Sequence, residues 1–208
     1  MNVYRSFDEI QRDENTILTV GTFDGVHRGH RLIIKRLCEI SDKENLRSVI
    51  LTLHPHPQIV LQKPDKKPIH LLTDIEERTL LFERLGLGHL LIIPFSKEFA
   101  NTPPEKFVSE FLYGKVGMKK ILIGYDHMFG KNREGDEDLL KRLSGELDFG
   151  IEKINAFEEN DSAVSSTRIR NSILDNKIEL ANEMLGYFYF LRGEVVVGDK
   201  RGDRKSVV

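Results

Sequence analysis

Short apolar runs alternate with amphipathic stretches along most of this chain, and that alternation constrains the fold more than any single motif. Ile17, Leu18, Thr19 and Val20 continue through Gly21, Thr22 and Phe23 as a strand-like run. It leads into residues 31–43, where Leu32, Ile33, Leu37 and Ile40 share one helical face. Residues 48–53, 89–95 and 120–125 are further strand-like runs. Between them, Thr73-Asp74-Ile75-Glu76 reads as a capping box opening a helix to residue 85, and Thr102-Pro103-Pro104-Glu105 repeats that logic for a helix to residue 113. Residues 136–147 predict another helix. Crossovers of ten or more residues are what parallel neighbours need, so residues 1–186 are expected to form one α/β domain with a doubly wound parallel sheet. In such folds ligands bind beyond the carboxyl ends of the strands, so the residues following each run are the candidates for function.

Composition narrows the class. Of 208 residues, 39% are hydrophobic, enough for a real core, and the net charge of −2 excludes a large basic field for nucleic acid. A single cysteine, Cys38, excludes an internal disulfide or a cysteine zinc cage, and its place beside the helical face at residues 31–43 reads as a small buried hydrophobe. No apolar run approaches the length of a membrane span, and the early acids Asp8 and Glu9 do not suit a secretory leader, so a cytoplasmic protein without a membrane partner is expected. The texture changes late. Two helices, 165–176 and 177–186, precede a β-rich run over 187–197 and a charged tail. A lone strand cannot bury a face by itself, so residues 187–208 are expected to be the short β-rich start of an incomplete second domain, its exposed edge a route to weak self-association.

Four positions carry chemistry. Gly21-Thr22-Phe23-Asp24-Gly25-Val26-His27-Arg28-Gly29-His30 joins the first run to the first helix. A helix N-terminus favours an anion, Gly29 permits close approach, and two imidazoles add donors for charge developing on a phosphate. Either histidine alone would be an ordinary polar loop residue; the pair beside glycines points to phosphate. Zinc is the poorer reading, because the pair lies on a turn with no third ligand in view. At Val164-Ser165-Ser166-Thr167-Arg168-Ile169-Arg170, three hydroxyl residues open a helix that carries two arginines in its first turns. Arginine there opposes the helix dipole, which a bound polyanion would explain, although a simple cap with surface arginines reads equally well. Gly124-Tyr125-Asp126-His127-Met128-Phe129-Gly130 follows the fourth run and suits a planar ligand with polar edges, or is a plain glycine-rich connection. His54-Pro55-His56-Pro57 is a rigid loop that forms a pocket wall or merely a turn.

The paired signatures His27-Arg28-Gly29-His30 and Ser165-Ser166-Thr167-Arg168-Ile169-Arg170 resemble those of the HxGH nucleotidyltransferases, a Rossmann-like superfamily. With residues 21–30, 51–57 and 124–135 added, the chain over residues 15–186 resembles the FAD synthetase module of the bacterial bifunctional riboflavin kinase/FAD synthetases. The resemblance implies transfer of an adenylyl group from ATP to FMN, giving FAD and pyrophosphate with Mg²⁺. It implies that His27, His30 and Arg170 act on the transferring phosphates. Gly21, Thr22, Phe23, Asp24, Gly29, Ser165, Ser166, Thr167 and Arg168 would hold ATP, and His56, Pro57, Asp126 and Phe129 would face the flavin. No protein metal ligand is assigned. Met128 stands where relatives often carry a basic residue. Residues 193–202 resemble the opening of the family's kinase module without its Pro-Thr-Ala-Asn segment, so riboflavin phosphorylation is expected to be absent. Rival readings are another small-molecule nucleotidyltransferase, a non-catalytic flavin or nucleotide binder, and a nucleic-acid enzyme sharing the histidine signature.

Overall fold

In the computed structural model, which describes residues 1–62, 68–124, 128–131, 134–154, 158–159, 162–193 and 196–197, the strand runs pair side by side. The strands are β1 (Asn2–Tyr4), β2 (Thr16–Val20), β3 (Arg47–His54), β4 (His89–Pro94), β5 (Met118–Ile123) and β6 (Gly150–Lys153), in the spatial order β1-β4-β3-β2-β5-β6. Every pairing in this sheet is parallel. Period-two alternation divides the apolar side chains between its faces. Leu18, Val49, Leu51, Leu91, Ile93, Ile121 and Ile123 join one buried cluster, while Ile17, Ile50, Leu90, Ile92 and Leu122 join the other. Strands buried on both sides read as the near-continuous apolar runs seen in the sequence.

Helices close both faces. Against the second cluster lie α1 (Arg28–Glu44), through Ile34, Leu37 and Ile40, and α3 (Ile75–Arg84), through Ile75, Leu81 and Phe82. Before α3 comes a single turn, α2 (Pro57–Val60). The first cluster is covered by Phe107, Val108, Leu112 and Val116 of a helix that starts as α5 (Pro104–Lys106) after the short α4 (Lys97–Ala100) and continues π-wound over Phe107–Val116. Leu140 and Leu143 of α6 (Glu137–Leu147) complete that side. A small ladder, β7 (Glu158–Glu159) and β8 (Ser162–Ala163), precedes α7 (Ser166–Leu174) and α8 (Ile178–Leu185). These two helices bury Ile169, Ala181, Met184 and Leu185 against Leu72 in a third, smaller cluster.

Successive strands β2, β3 and β4 step to one side of the sheet, then the chain returns across β2 to lay β5 and β6 on the other. That reversal puts the switch point of the sheet at the carboxyl ends of β2 and β5, the position where parallel α/β sheets bind ligands.

Several expectations shift. Strands β1 and β6 extend the sheet beyond the four expected runs. The capping box lies one residue later than expected: Asp74 accepts from Glu77 N at 2.6 Å and Glu77 returns a carboxylate to Asp74 N at 2.9 Å. Thr73 is instead drawn toward the β2–α1 turn, where its hydroxyl accepts from Gly25 N at 3.0 Å. No side chain caps the helix starting at Pro104. The strand expected over residues 187–197 is not formed among the described residues. Tyr187 and Phe190 pack onto the second cluster and Tyr189 onto the third, because apolar side chains without a partner strand gain more from the existing core.

Candidate active site

Between β2 and α1 the backbone reverses sharply. Phe23 (φ 50), Gly25 (φ 78) and Val26 (φ 37) all occupy the left-handed region. For β-branched Val26 that conformation costs about 1–3 kcal/mol, and complete burial of its side chain holds it there. Gly25 has no such latitude to lose, since a Cβ at this position would meet Leu72 Cδ1 at 2.7 Å. The outcome of the turn is that His27 becomes the N-cap of α1, with His30 in the first helical turn. The histidine pair therefore lies at the helix N-terminus expected of it, although the helix begins at Arg28, earlier than residue 31.

His27 Nδ1 accepts the amide N–H of His30 at 3.4 Å, and the two rings stack at 3.6 Å between centroids. A ring nitrogen that accepts carries no proton, so neutral His27 presents its proton on Nε2. Burial lowers the His27 pKa to about 4; Asp24 opposes this and Arg170 adds to it. His30 is held well below the ordinary histidine range by burial, then by His27 and Arg78. Both rings are neutral near pH 7. Phe23, expected in the nucleotide cleft, is buried beneath it, edge-on to His30 at 5.1 Å and to Phe82 at 5.8 Å. Its left-handed backbone turns the ring inward, where it supports His30.

The second signature meets the first at Asp24. Its carboxylate is 1% exposed and accepts from Arg170 Nη2 at 2.6 Å across 146 residues. The same group accepts the amides of Leu72 at 3.0 Å and Thr73 at 3.1 Å. Ser166 donates its hydroxyl to the Asp24 carbonyl at 2.9 Å, and Tyr187 donates to the Gly25 carbonyl at 2.6 Å. Arg170 Nε donates to the carbonyl of His70 at 2.8 Å. Asp24 thus faces inward as the tie between three chain segments, which corrects its expected place as a cleft-lining residue. Ser165 is the N-cap of α7, accepting from Arg168 N at 3.2 Å, and Thr167 is exposed on that helix's first turn. The N-termini of α1 and α7 are consequently brought to one place, and both favour an anion.

On the β3 side, Thr52 Oγ1 and Arg78 Nη1 both donate to the Thr22 carbonyl, at 3.4 and 2.6 Å. His56 is buried as the N-cap of α2, ahead of Pro57, and accepts from Gln58 N at 3.1 Å. Burial brings its pKa to about 4, against the pull of Asp24, with Arg78 and Arg170 adding to the lowering. Gly21 bonds through its amide to the Leu51 carbonyl at 3.1 Å, continuing the sheet into the turn. Phe129, expected beside a flavin, is buried against Phe107 at 6.1 Å between centroids, and its backbone pairs with Gly135. It anchors the post-β5 loop to the core. Met128 beside it is exposed, and Asp126 lies outside the described residues.

Sequence reading passed over Arg78, His70 and Tyr187, and gave Thr73 only a place in a helix cap. Arg78 had a signal: it stands three residues after Ile75 and four before Phe82, on the stripe of α3 that faces the core. His70 contributes only a carbonyl, which no side-chain pattern announces. Among the described residues, no three of His, Cys, Asp and Glu come together as metal ligands, and the Asp24 carboxylate is already committed to Arg170 and two amides. A magnesium cage of protein side chains does not fit this residue set.

Two neutral histidines and two helix N-termini meet at the switch point of a six-stranded parallel sheet, the architecture of a nucleotidyltransferase-like fold. A sequence model described as FAD synthetase matches residues 9–168. The bifunctional riboflavin kinase/FMN adenylyltransferase of Bacillus subtilis is 33% identical over 194 residues, covering 92% of this chain and 60% of that protein. Its counterpart in Escherichia coli K12 is 35% identical over 189 residues, covering 91% and 60%. The chain spans about 60% of the length of these curated relatives. A solved structure, a macrolide-efflux protein from Streptococcus pneumoniae, superposes with a TM-score of 0.75 at 25% identity, covering 89% of this chain and 61% of that one. No helix among the described residues is long and apolar enough to cross a membrane. The chain belongs to the FAD synthetase family.

Proposed function

We propose that this chain transfers the adenylyl group of ATP to the phosphate of FMN, releasing pyrophosphate and giving FAD. The observation that carries this reading is the Asp24–Arg170 pair, which draws the start of α7 against the start of α1. An FMN phosphate oxygen attacks the α-phosphorus in line; a new P–O bond forms as the bond to the β-phosphate oxygen breaks, and pyrophosphate takes the departing electron pair. Protein work in such a reaction is positioning and charge stabilisation. Neutral His27, with its proton on Nε2, donates to a non-bridging oxygen as charge grows there. His30 supplies a second donor from the stacked ring, while Arg168, Arg170 and the free amides at the start of α7, with Ser166 and Thr167, attract the leaving phosphates. Gly29, in the first turn of α1, leaves the approach to that helix start unobstructed by a side chain. His56 and Pro57 form the opposite wall, toward the flavin, with Asp126 and Phe129 assigned to the same side. Magnesium would be held largely by the substrate phosphates, as suits an ion that keeps its waters, and would offset their charge there, with no protein side chain assigned to it. The riboflavin kinase half of the relatives' names is not carried over.

Incubating the purified chain with FMN, ATP and Mg²⁺, beside a parallel sample given riboflavin, and separating the flavins by chromatography tests this. FAD from FMN is the expected result. Binding of FMN and ATP without FAD or pyrophosphate would favour a non-catalytic binder, and turnover of a different phosphate acceptor would reassign the substrate.

A further inference from the structure

Two hydrogen bonds run in opposite senses between the start of α1 and the end of α8. Tyr187 donates its hydroxyl to the Gly25 carbonyl at 2.6 Å, across 162 residues. Arg31 Nη1 donates to the Gly186 carbonyl at 3.1 Å, across 155. Neighbouring residues 186 and 187 therefore grip the chain on both sides of His27, once before this N-cap and once a turn after it. Contact between the two helix ends is close. Gly186 closes α8 at φ 75, and a Cβ there would meet Arg28 Cγ at 3.1 Å.

The bond at Gly25 falls where the backbone most needs holding, because Phe23, Gly25 and Val26 are all left-handed. Both polar backbone groups of Gly25 go to distant side chains: its amide donates to Thr73 Oγ1 and its carbonyl accepts from Tyr187. Only Val26 separates Gly25 from His27. Arg31 is joined to His27 directly, since its amide donates to the His27 carbonyl at 2.9 Å. Burial and the carboxylates of Asp24 and Glu77 keep the Tyr187 phenol protonated, against the pull of Arg31, so it remains a donor well above neutral pH. The residues that follow are fastened too. Tyr189 N donates to Asn182 Oδ1 at 2.7 Å, the Phe190 ring lies 6.0 Å from that of Tyr187, and Arg192 N donates to Glu77 Oε1 at 3.3 Å.

Resting on the adenylyl-transfer reading, we propose that Tyr187 and Arg31 are positioning residues for that reaction. Together they clamp the β2–α1 turn to the end of α8 and so set where the stacked His27 and His30 rings stand. Residues 187–192 then belong to the transferase unit and not to a second domain. Neither residue is assigned a contact with substrate; each acts through the backbone that carries His27. The chemistry is sensitive to such a device, since displacing a reacting or stabilising group by about 1 Å costs up to about a hundredfold in rate.

The test uses the full chain with Tyr187→Phe, Arg31→Met, Arg31→Lys and the double variant Tyr187→Phe/Arg31→Met. Tyr187→Phe keeps the ring on the second cluster and removes only the hydroxyl. Its kcat for FAD formation should fall about fivefold, with KM for ATP and FMN changed by less than about twofold. Arg31→Met should behave alike, and Arg31→Lys, which keeps a donor, should recover most of the kcat. Because the two bonds form one clamp, the double variant should lose about tenfold, less than the product of the singles. A folded Tyr187→Phe protein with wild-type kcat overturns the proposal, since a merely structural bond lowers the urea midpoint and leaves turnover alone. Raised KM at unchanged kcat overturns it as well, and so do singles whose losses simply multiply. Imidazole ¹H–¹⁵N spectra give a reading that needs no turnover: the His27 and His30 resonances should move in Tyr187→Phe, and unmoved resonances overturn the clamp. Should Tyr187→Phe not fold, the Arg31 pair decides, and Lys and Met variants that both match the wild type overturn it. Wild-type chain that makes no FAD would refute the adenylyl-transfer reading instead, and the histidine resonances would still decide whether the clamp sets the pair.

Discussion

Replacing Arg170 by Met keeps most of the side-chain volume and removes the guanidinium, so it isolates what the Asp24 pair contributes. Asp24 is 1% exposed and the Arg170 side chain 15%, so solvent does little to screen them. Breaking a buried ion pair by removing one partner costs about 3–5 kcal/mol, since the remaining charge is stranded. Asp24 would keep the Leu72 and Thr73 amides, which puts the loss near the lower end. Loss of the bond from Nε to the His70 carbonyl adds about 1 kcal/mol. A total of about 4 kcal/mol is a large part of the roughly 10 kcal/mol typical of a stable domain. Urea unfolding followed by circular dichroism should show the midpoint falling by more than a third. Asp24→Asn should also destabilise, and the double variant should lose less than the two singles together, with a coupling of about 2 kcal/mol. A loss below about 1 kcal/mol in Arg170→Met, or singles that simply add, would refute the claim that this pair ties the two signatures together.

Three further outcomes follow from the same geometry. Because His27 stays neutral down to about pH 4 while an unfolded histidine takes its proton near 6.5, stability is full above pH 6.5 and is lost as pH falls toward 4, by about 3 kcal/mol from this residue; a urea midpoint unchanged between pH 7.5 and 5 would contradict this. Tyr187→Phe removes the donor to the Gly25 carbonyl and should cost about 1 kcal/mol, with a several-fold drop in FAD formation; unaltered stability would show that the bond adds nothing. Gly25→Ala forces a Cβ against Leu72 at positive φ and should lower the thermal midpoint by several degrees through about 2 kcal/mol or more; a neutral substitution would mean that the turn is more pliant than described.

The sheet's core was legible because parallel strands buried on both faces leave long apolar runs, and β2 to β5 announce themselves in that way. Strand β1 is three residues long and β6 four, too short for a period, and both were missed. The histidine and Ser-Thr-Arg signatures were visible as motifs. Whether a signature residue faces the cleft or the core was not, because backbone reversal decides that: the left-handed Phe23 and Val26 turn one ring inward and leave Asp24 pointing at α7. Residues 187–193 misled for a related reason. Tyr and Phe in succession favour a strand only when a neighbour can pair, and here the second and third clusters already offered them a surface.

The Asp24–Arg170 contact also bears on how the molecule comes into being. The two residues are separated by 146 positions, and loop closure over such a distance is an entropic cost that earlier sheet contacts must first reduce. Strands β2, β3 and β4 can pair while residue 170 is still unsynthesised, but the buried Asp24 carboxylate then keeps the Leu72 and Thr73 amides and the field of Arg78 and lacks the bond from Arg170. The β2–α1 turn of a nascent chain therefore gains its last tie only when α7 emerges, so the site at the two helix starts is completed last. Pulse-labelled hydrogen exchange during refolding should show the Leu72 and Thr73 amides protected after those of β2 and β3; simultaneous protection would mean that the turn closes without α7.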